Sequence, residues 1–215
     1  MTNICEVGAV IFPSPTGIEV NMMPFVVGDN STLPIEVRGY IPLICACRLE
    51  SSQLGKISYL SIQESNIVAG LSQRRPGLHT EGHLNVGWGE GWGSGRFDGT
   101  CRDGLYMAST VMGSCRAYDY GVKVTGDMGD CEYLREDIER DALPVTMQAN
   151  RLYWLTDRCP HESLPLNQAT HRQWFRLVTH KVDLWYADHS THNSLVQPDC
   201  RIVTGDKFLK GVVAI

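Results

Sequence analysis

The sequence lacks several features that define large classes of proteins. No apolar run approaches the roughly 18 residues of a membrane-spanning helix. The formal net charge is −5 and basic residues are not clustered, whereas nucleic-acid binding needs Lys and Arg gathered on one face. The phosphate-binding pattern G-x-x-x-x-G-K-[ST] and the nucleophile turn G-x-S-x-G are also missing. These absences argue against a membrane protein, a nucleic-acid binder, a P-loop enzyme and a serine hydrolase.

The N-terminal residues and the cysteines bear on the cellular compartment. Residues 1–7 lack the basic and apolar regions of a secretory signal, so we expect a cytoplasmic protein. The cysteines at positions 5, 45, 47, 101, 115, 131, 159 and 200 are then expected to be reduced thiols. The one close pair, Cys45 and Cys47, lies in an apolar run interpreted as a strand, which favours core packing over metal binding.

Short apolar or alternating segments recur along the chain, bounded by Pro, Gly, Ser or Asn as strands usually are. They cover residues 7–12, 18–23, 41–47, 57–62, 105–111, 115–120, 152–155, 173–178 and 181–186. The best helical segment is 131–140, where Asp130 is placed as an N-cap and Leu134 and Ile138 lie one turn apart. Many short strands with few helices predict an all-β barrel or sandwich.

The 215 residues are long enough to form one domain with a sizeable core. Neither an internal repeat nor a linker-like change in composition divides them. We therefore expect a single domain over residues 1–215, in which residues 1–70 supply outer strands, 71–186 form a metal-binding core and 187–215 form a C-terminal tail.

The segment Arg75-Pro-Gly-Leu-His79-Thr-Glu81 carries the first candidate ligands. Residues i and i+2 of a strand face the same way, so His79 and Glu81 share a face. Joined by a distant histidine, such a pair forms the 2-His-1-carboxylate set of non-haem iron(II) enzymes. His161 is the preferred third ligand. His83 would need a helix that Pro76 and two glycines disfavour.

Arg172 follows His161 by eleven residues, a spacing that fits two consecutive antiparallel strands. An arginine that enters the same cavity would bind a carboxylate in bidentate fashion. His171 would face the opposite side of that strand. Arg176 shares the face of Arg172 and is an alternative anion binder, while Asp157 and Glu162 are alternative partners for Arg172.

The order His79-x-Glu81, His161, Arg172 resembles the double-stranded β-helix oxygenases over roughly residues 75–180. The resemblance implies a jelly-roll fold, Fe(II) bound by His79, Glu81 and His161 as the catalytic centre, and 2-oxoglutarate as cosubstrate. It also implies that Arg172 binds the distal carboxylate of 2-oxoglutarate. The chain differs from the family in having Glu for the commoner Asp, and Gln and Trp after the arginine where Arg-x-Ser is frequent.

A glycine-rich segment with two tryptophans follows the His79 motif. We interpret it as a lid in which Trp88, Trp92 and Arg96 close over the substrate, although a surface loop with tucked tryptophans would have the same composition. Arg75 and Arg158 are candidates for binding a charged group of the substrate.

These observations favour an Fe(II)- and 2-oxoglutarate-dependent dioxygenase acting on a small molecule. Two alternatives stay open: a cupin-like metalloenzyme that does not use 2-oxoglutarate (an oxidase, isomerase or lyase), and a non-catalytic β-barrel that binds a small acidic ligand. Jelly-roll proteins often dimerise through an N-terminal strand, which makes a homodimer a candidate assembly. Asp188, His189 and His192 form a second polar cluster near the C-terminus, whose H-x-x-H spacing offers an alternative metal site but which we interpret as a loop.

Overall fold

The computed structural model describes residues 2–81, 104–182, 184–205 and 213–214. Within them the strands are β1 (Ile4–Ala9), β2 (Glu19–Val26), β3 (Ile57–Ile67), β4 (Leu105–Ser109), β5 (Cys115–Tyr118), β6 (Pro144–Thr146), β7 (Arg151–Leu155), β8 (His161–Ser163), β9 (Thr170–Val178), β10 (Leu184–Tyr186), β11 (Arg201–Thr204) and β12 (Val213–Ala214). The α-helices are α1 (Ile41–Ala46) and α2 (Arg135–Asp141). Short 3-10 turns span Asn30–Thr32, Ile35–Tyr40, Ser51–Gln53, Asp127–Gly129, Glu132–Leu134 and Ala187–His189.

Two antiparallel sheets build the barrel. The larger has the strand order β1-β7-β4-β9-β3-β2, and the smaller has the order β6-β5-β8. His79 pairs with His161 at the edge of β8 and so extends the smaller sheet. From β7 through β8 to β9 the chain crosses from the larger sheet to the smaller one and back, as it does in a jelly roll. The predicted all-β fold with one or two short helices is confirmed.

The larger sheet is buried on both faces, because successive side chains of a strand point to opposite sides. On β9, Phe175 and Leu177 face an outer core that also contains Leu43 and Ile44 of α1. Trp174 and Val178 face the inner core between the sheets. Strand β9 therefore belongs to both cores, and its inward face forms a wall of the barrel interior.

The prediction of a strand over residues 41–47 is wrong, because Ile41–Ala46 forms helix α1. Pro42 sits in the first turn of this helix, where its missing N–H has no intrahelical partner to lose. Leu43 and Ile44 are buried while Cys45 is exposed. An apolar run this short fits either a buried strand or one face of a short helix, so its periodicity did not decide between them.

Other predicted helices and strands are present in the structure, but they begin or end at different residues. The predicted helix begins as the Glu132–Leu134 turn and continues as α2, and Asp130 Oδ1 accepts a hydrogen bond from the Glu132 N–H at 3.0 Å. Strand β3, which the sequence placed among the outer strands, lies between β2 and β9 inside the larger sheet. The C-terminal segment supplies β11 and β12 to a three-stranded sheet with β10.

Two further expectations concern the cysteines and the membrane. The described cysteines form no disulfide bond with one another. Among the helices in the described part of the chain, none has the length and apolar character needed to cross a membrane.

Asp157, which follows β7, is a buried carboxyl group with an unusual environment. The residue is fully buried, and neither carboxylate oxygen has a hydrogen-bond partner. Burial raises the pKa of Asp157 to about 6. A charged group in this position destabilises the fold because water solvates the carboxylate better than the protein does.

We expect Asp157→Asn to stabilise the protein at pH 7 by about 2 kcal/mol. The folded-state pKa lies above the unfolded value, so wild-type stability falls as the pH rises from about 4 to about 6. The variant should lose this part of the pH dependence. Urea unfolding between pH 4 and 7 measures the effect, with Asp141→Asn on exposed α2 as the control. A variant less stable than wild type at pH 7 would contradict the prediction.

Candidate metal centre

His79 and His161 lie directly opposite each other in an antiparallel pair. The His79 N–H donates to the His161 carbonyl at 3.1 Å, and the His161 N–H donates to the His79 carbonyl at 2.9 Å. Opposed residues of such a pair project to the same face, and the two ring centroids are 4.7 Å apart. The backbone alone therefore brings together two histidines that are far apart in the sequence.

The hydrogen bonds of both rings fix which nitrogen carries the proton. His79 Nδ1 lies 2.8 Å from the Gly77 carbonyl, and His161 Nδ1 lies 3.0 Å from the Cys159 carbonyl. A carbonyl only accepts, so each Nδ1 must donate, and in the neutral imidazole Nε2 then keeps its lone pair. Metal-binding histidines commonly have this arrangement, with the second nitrogen anchored by a carbonyl or carboxylate.

The turn before His79 provides its anchor. Gly77 adopts a φ of 77°, a left-handed conformation that glycine tolerates without a steric penalty. The following Leu78 N–H donates to Glu132 Oε2 at 2.7 Å. Desolvation by the surrounding protein and the neighbouring His161 ring lower the pKa of His79 to about 3.

Glu81 lines the same cavity as the two histidines. Its Oε1 lies 3.4 Å from His161 Nε2. Arg176 Nη1 also contacts both carboxylate oxygens, at 2.6 and 2.8 Å. Burial favours the neutral acid, but the positive charge of Arg176 holds the pKa of Glu81 well below its usual range. Glu81 is thus an ionised carboxylate engaged by an arginine.

The donor set can be compared with the needs of a metal. Two imidazoles with available Nε2 atoms and one carboxylate are suitable donors for Fe(II). Within the described residues, however, no three His, Cys, Asp or Glu side chains have the spacing of a complete metal-ligand set. The donors fit a metal in chemical type, while both Glu81 oxygens face the guanidinium of Arg176.

Arg172 is placed differently from what the family resemblance implies. The residue is fully buried, and its guanidinium donates to Ser109 Oγ, Ser163 Oγ and Cys115 Sγ at 3.0, 3.3 and 3.1 Å. It is not part of the cavity lining around His79 and His161. Arg176, the alternative anion binder, does line that cavity.

Neither predicted acidic partner of Arg172 contacts it. Asp157 has no hydrogen-bond partner. Glu162 pairs instead with Arg116 at 2.7 Å and with Arg135 at 2.8 Å. Arg172 therefore has no ion pair with either of the acids that the sequence offered.

The predicted substrate-binding residues separate into three groups. Arg75 lines the cavity and donates to the Met128 carbonyl at 2.7 Å. Arg158 is outside the lining, with a buried Nε that has no hydrogen-bond partner. Trp88, Trp92 and Arg96 lie outside the described residues.

The competing histidines do not join the site. His83 lies outside the described residues, and His171 is exposed on β9 opposite Asn66. In the second polar cluster, Asp188 accepts a hydrogen bond from the Gly205 N–H at 2.8 Å. The His192 ring packs edge-on against Trp185 at 4.9 Å between centroids.

Arg74 and Trp174 are among the lining residues that were not predicted from the sequence as site residues. The Arg74 guanidinium carbon lies 4.3 Å from the centroid of the Trp174 ring, and that of Arg176 lies 5.4 Å from it. The signal for Trp174 was its position between Arg172 and Arg176 on one strand face. The signal for Arg74 was its place next to the His79 motif, but nothing in the sequence indicated that it would stack on Trp174.

We expect the imidazole of His79 to stay neutral from pH 5 to 8 in the metal-free protein. Its folded pKa lies below the unfolded value of about 6.5, so this residue contributes stability near pH 7 that is lost as the pH falls. Long-range ¹H–¹⁵N spectra, assigned with His79→Gln, should show a protonated Nδ1 and no titration in this range. A titration midpoint for His79 between pH 5 and 8 would disprove this prediction.

Comparison with known proteins gives no match: no protein-family model, curated protein or solved structure is similar to this chain. The function therefore has to be inferred from the site itself, from the paired histidines, Glu81 and the surrounding arginines.

Proposed function

We propose that this protein is a non-haem Fe(II)-dependent oxygenase acting on a small molecule, with His79, Glu81 and His161 as the metal ligands. One observation carries the proposal. Two histidines on directly paired backbone, each anchored through Nδ1, share a cavity with an ionised carboxylate. Fe(II) in this position would supply open coordination sites for dioxygen and an organic acid.

The protein residues prepare the site in three ways. The carbonyls of Gly77 and Cys159 hold the imidazoles in the tautomer that binds a metal. Met107 and Trp174 line the cavity with apolar surface and limit the access of water. Arg176 keeps Glu81 ionised, so the carboxylate needs no deprotonation before it binds a cation.

We propose 2-oxoglutarate as the cosubstrate on the basis of the family resemblance. In the present arrangement Arg176 is better placed than Arg172 to meet its carboxylate, because Arg172 is enclosed by Ser109, Ser163 and Cys115. The cavity volume is about 60 Å³, close to the liquid volume of about two waters. Binding of a five-carbon diacid would require the side chains around Glu81 to move apart.

Two features of the site, the enclosure of Arg172 and the small cavity volume, favour a second candidate function. This is a cupin-like metalloenzyme that does not use 2-oxoglutarate. An enclosed Arg172 and a small cavity suit a smaller acid or a substrate that binds the metal directly. The two functions differ in one product, since only the first converts 2-oxoglutarate to succinate during turnover.

Anaerobic titration tests the metal site. We expect the wild-type protein to bind one Fe(II) and, on addition of 2-oxoglutarate, to develop the weak visible charge-transfer band of the ternary complex. His161→Ala and Glu81→Ala should each weaken Fe(II) binding by at least about 100-fold, because each removes a ligand directly. Equilibrium dialysis with metal analysis measures the affinity.

His171→Ala is the matched control, since it removes an exposed histidine from the outer side of β9. It should bind Fe(II) like the wild type. Circular dichroism should show that all three variants are folded. Wild-type iron affinity in folded His161→Ala would exclude the proposed metal centre. If the wild-type protein binds iron but the charge-transfer band does not appear, the proposed metal site stands and 2-oxoglutarate is excluded as the cosubstrate.

A further inference from the structure

We propose that the cavity contains a carboxylate-binding site in which Arg74 and Arg176, both beside the Trp174 ring, hold the acid group of a small organic acid. The role of this site in binding a substrate or cosubstrate rests on the proposed function. The binding itself depends on the charges of the cavity and needs no metal.

The first argument is the charge balance of the cavity. Its described lining contains Arg74, Arg75 and Arg176 but only two carboxylates, Glu81 and Glu162. Glu162 is paired with two arginines from outside the lining. Glu81 is therefore the one described carboxylate left to balance the arginines, and it is bonded to Arg176.

Two of the guanidinium groups have only uncharged hydrogen-bond acceptors among the described residues. The side chain of Arg74 donates to Gln63 Oε1 at 3.3 Å. Arg75 donates to a backbone carbonyl. Positive charge inside a protein is costly unless an anion or water compensates it, so an anionic ligand would stabilise this arrangement.

The second argument is the supply of hydrogen-bond donors. A guanidinium that stacks on an aromatic ring keeps its N–H groups in the ring-parallel plane, where they can meet a carboxylate edge. Arg176 is only 8% exposed, and its Nε has no hydrogen-bond partner. An unused donor at a buried position is unfavourable by itself and becomes satisfied when an acceptor binds.

The third argument is the repulsion between the arginines. Burial and then the positive charge of Arg176 lower the pKa of Arg74 to about 10. Two like charges beside one ring are held together at an energetic cost that an intervening anion would remove. Glu81 compensates the positive charge of Arg176 when no ligand is bound.

The volume of the cavity limits the ligand. About 60 Å³ accommodates one acid group and little more. The class that fits is a small carboxylate such as acetate or oxalate, or the acid end of a longer molecule whose remainder leaves the cavity. The negative charge, rather than a particular carbon skeleton, is what these arginines recognise.

Isothermal titration calorimetry of metal-free protein, treated with chelating resin in a buffer without carboxylates, tests this site. Acetate, oxalate and succinate are the probes, and acetamide is the uncharged control. We expect Arg74→Gln and Arg176→Gln to weaken acid binding by at least about 10-fold, since each removes a charged donor from the cavity. Arg74→Lys should be intermediate, because it keeps the charge and loses the planar donors.

Glu81→Gln gives the sharpest result. Removing this carboxylate frees Arg176 and abolishes a repulsion, so acid binding should become several-fold tighter while Fe(II) binding is lost. Arg140→Gln, which removes an exposed arginine from α2, should leave acid binding unchanged. Thermal unfolding identifies any variant that does not fold. If Arg74→Gln or Arg176→Gln does not fold, Glu81→Gln and Arg74→Lys still test the site.

The outcomes separate this site from the metal centre. Acid binding without iron binding supports the carboxylate site and excludes the proposed oxygenase. Iron binding with no saturable acid binding in either wild type or Glu81→Gln overturns the carboxylate site alone. An equal loss of binding in Arg140→Gln and Arg74→Gln would overturn it as well, because the effect would then reflect net charge.

Discussion

The candidate site depends on the backbone pairing of His79 with His161. This pairing joins the segment after β3 to the edge of β8 and sets both rings on one face of the smaller sheet. Because Glu81 lies two residues after His79, it follows onto the same face. Without the two backbone hydrogen bonds, neither the shared cavity nor the contact between Glu81 and His161 would be specified.

The balance of charge between Glu81 and Arg176 determines how a bound metal and a bound acid would affect each other. Glu81 and Arg176 form a buried ion pair whose side chains are 8% and 10% exposed. Breaking such a pair is costly when one charge is left without a partner. A metal that takes Glu81 leaves Arg176 without its anion, and an acid group that binds Arg176 leaves Glu81 without its cation. Binding of a metal and of an acid should therefore assist each other.

Strand β9 links this chemistry to the stability of the fold. Its outward residues Phe175 and Leu177 pack beneath helix α1, while Arg172, Trp174 and Arg176 face the interior. Pairing with both β3 and β4 keeps the strand rigid. The guanidinium groups are thus held by a strand that is buried on both faces, which favours a fixed geometry over the adaptability of a loop.

The sequence by itself determined the all-β class, the helix near Asp130 and the shared face of His79 and Glu81, because these follow from local periodicity and capping. It could not choose strand or helix for residues 41–47, where an apolar run of that length fits both. It placed Arg172 before Arg176 only through the family resemblance, since both share one strand face. Only the tertiary structure decided that choice, because it sets Ser109, Ser163 and Cys115 around Arg172 and Glu81 against Arg176. Partners distant in sequence decide which of two equivalent cations is enclosed and which reaches the cavity.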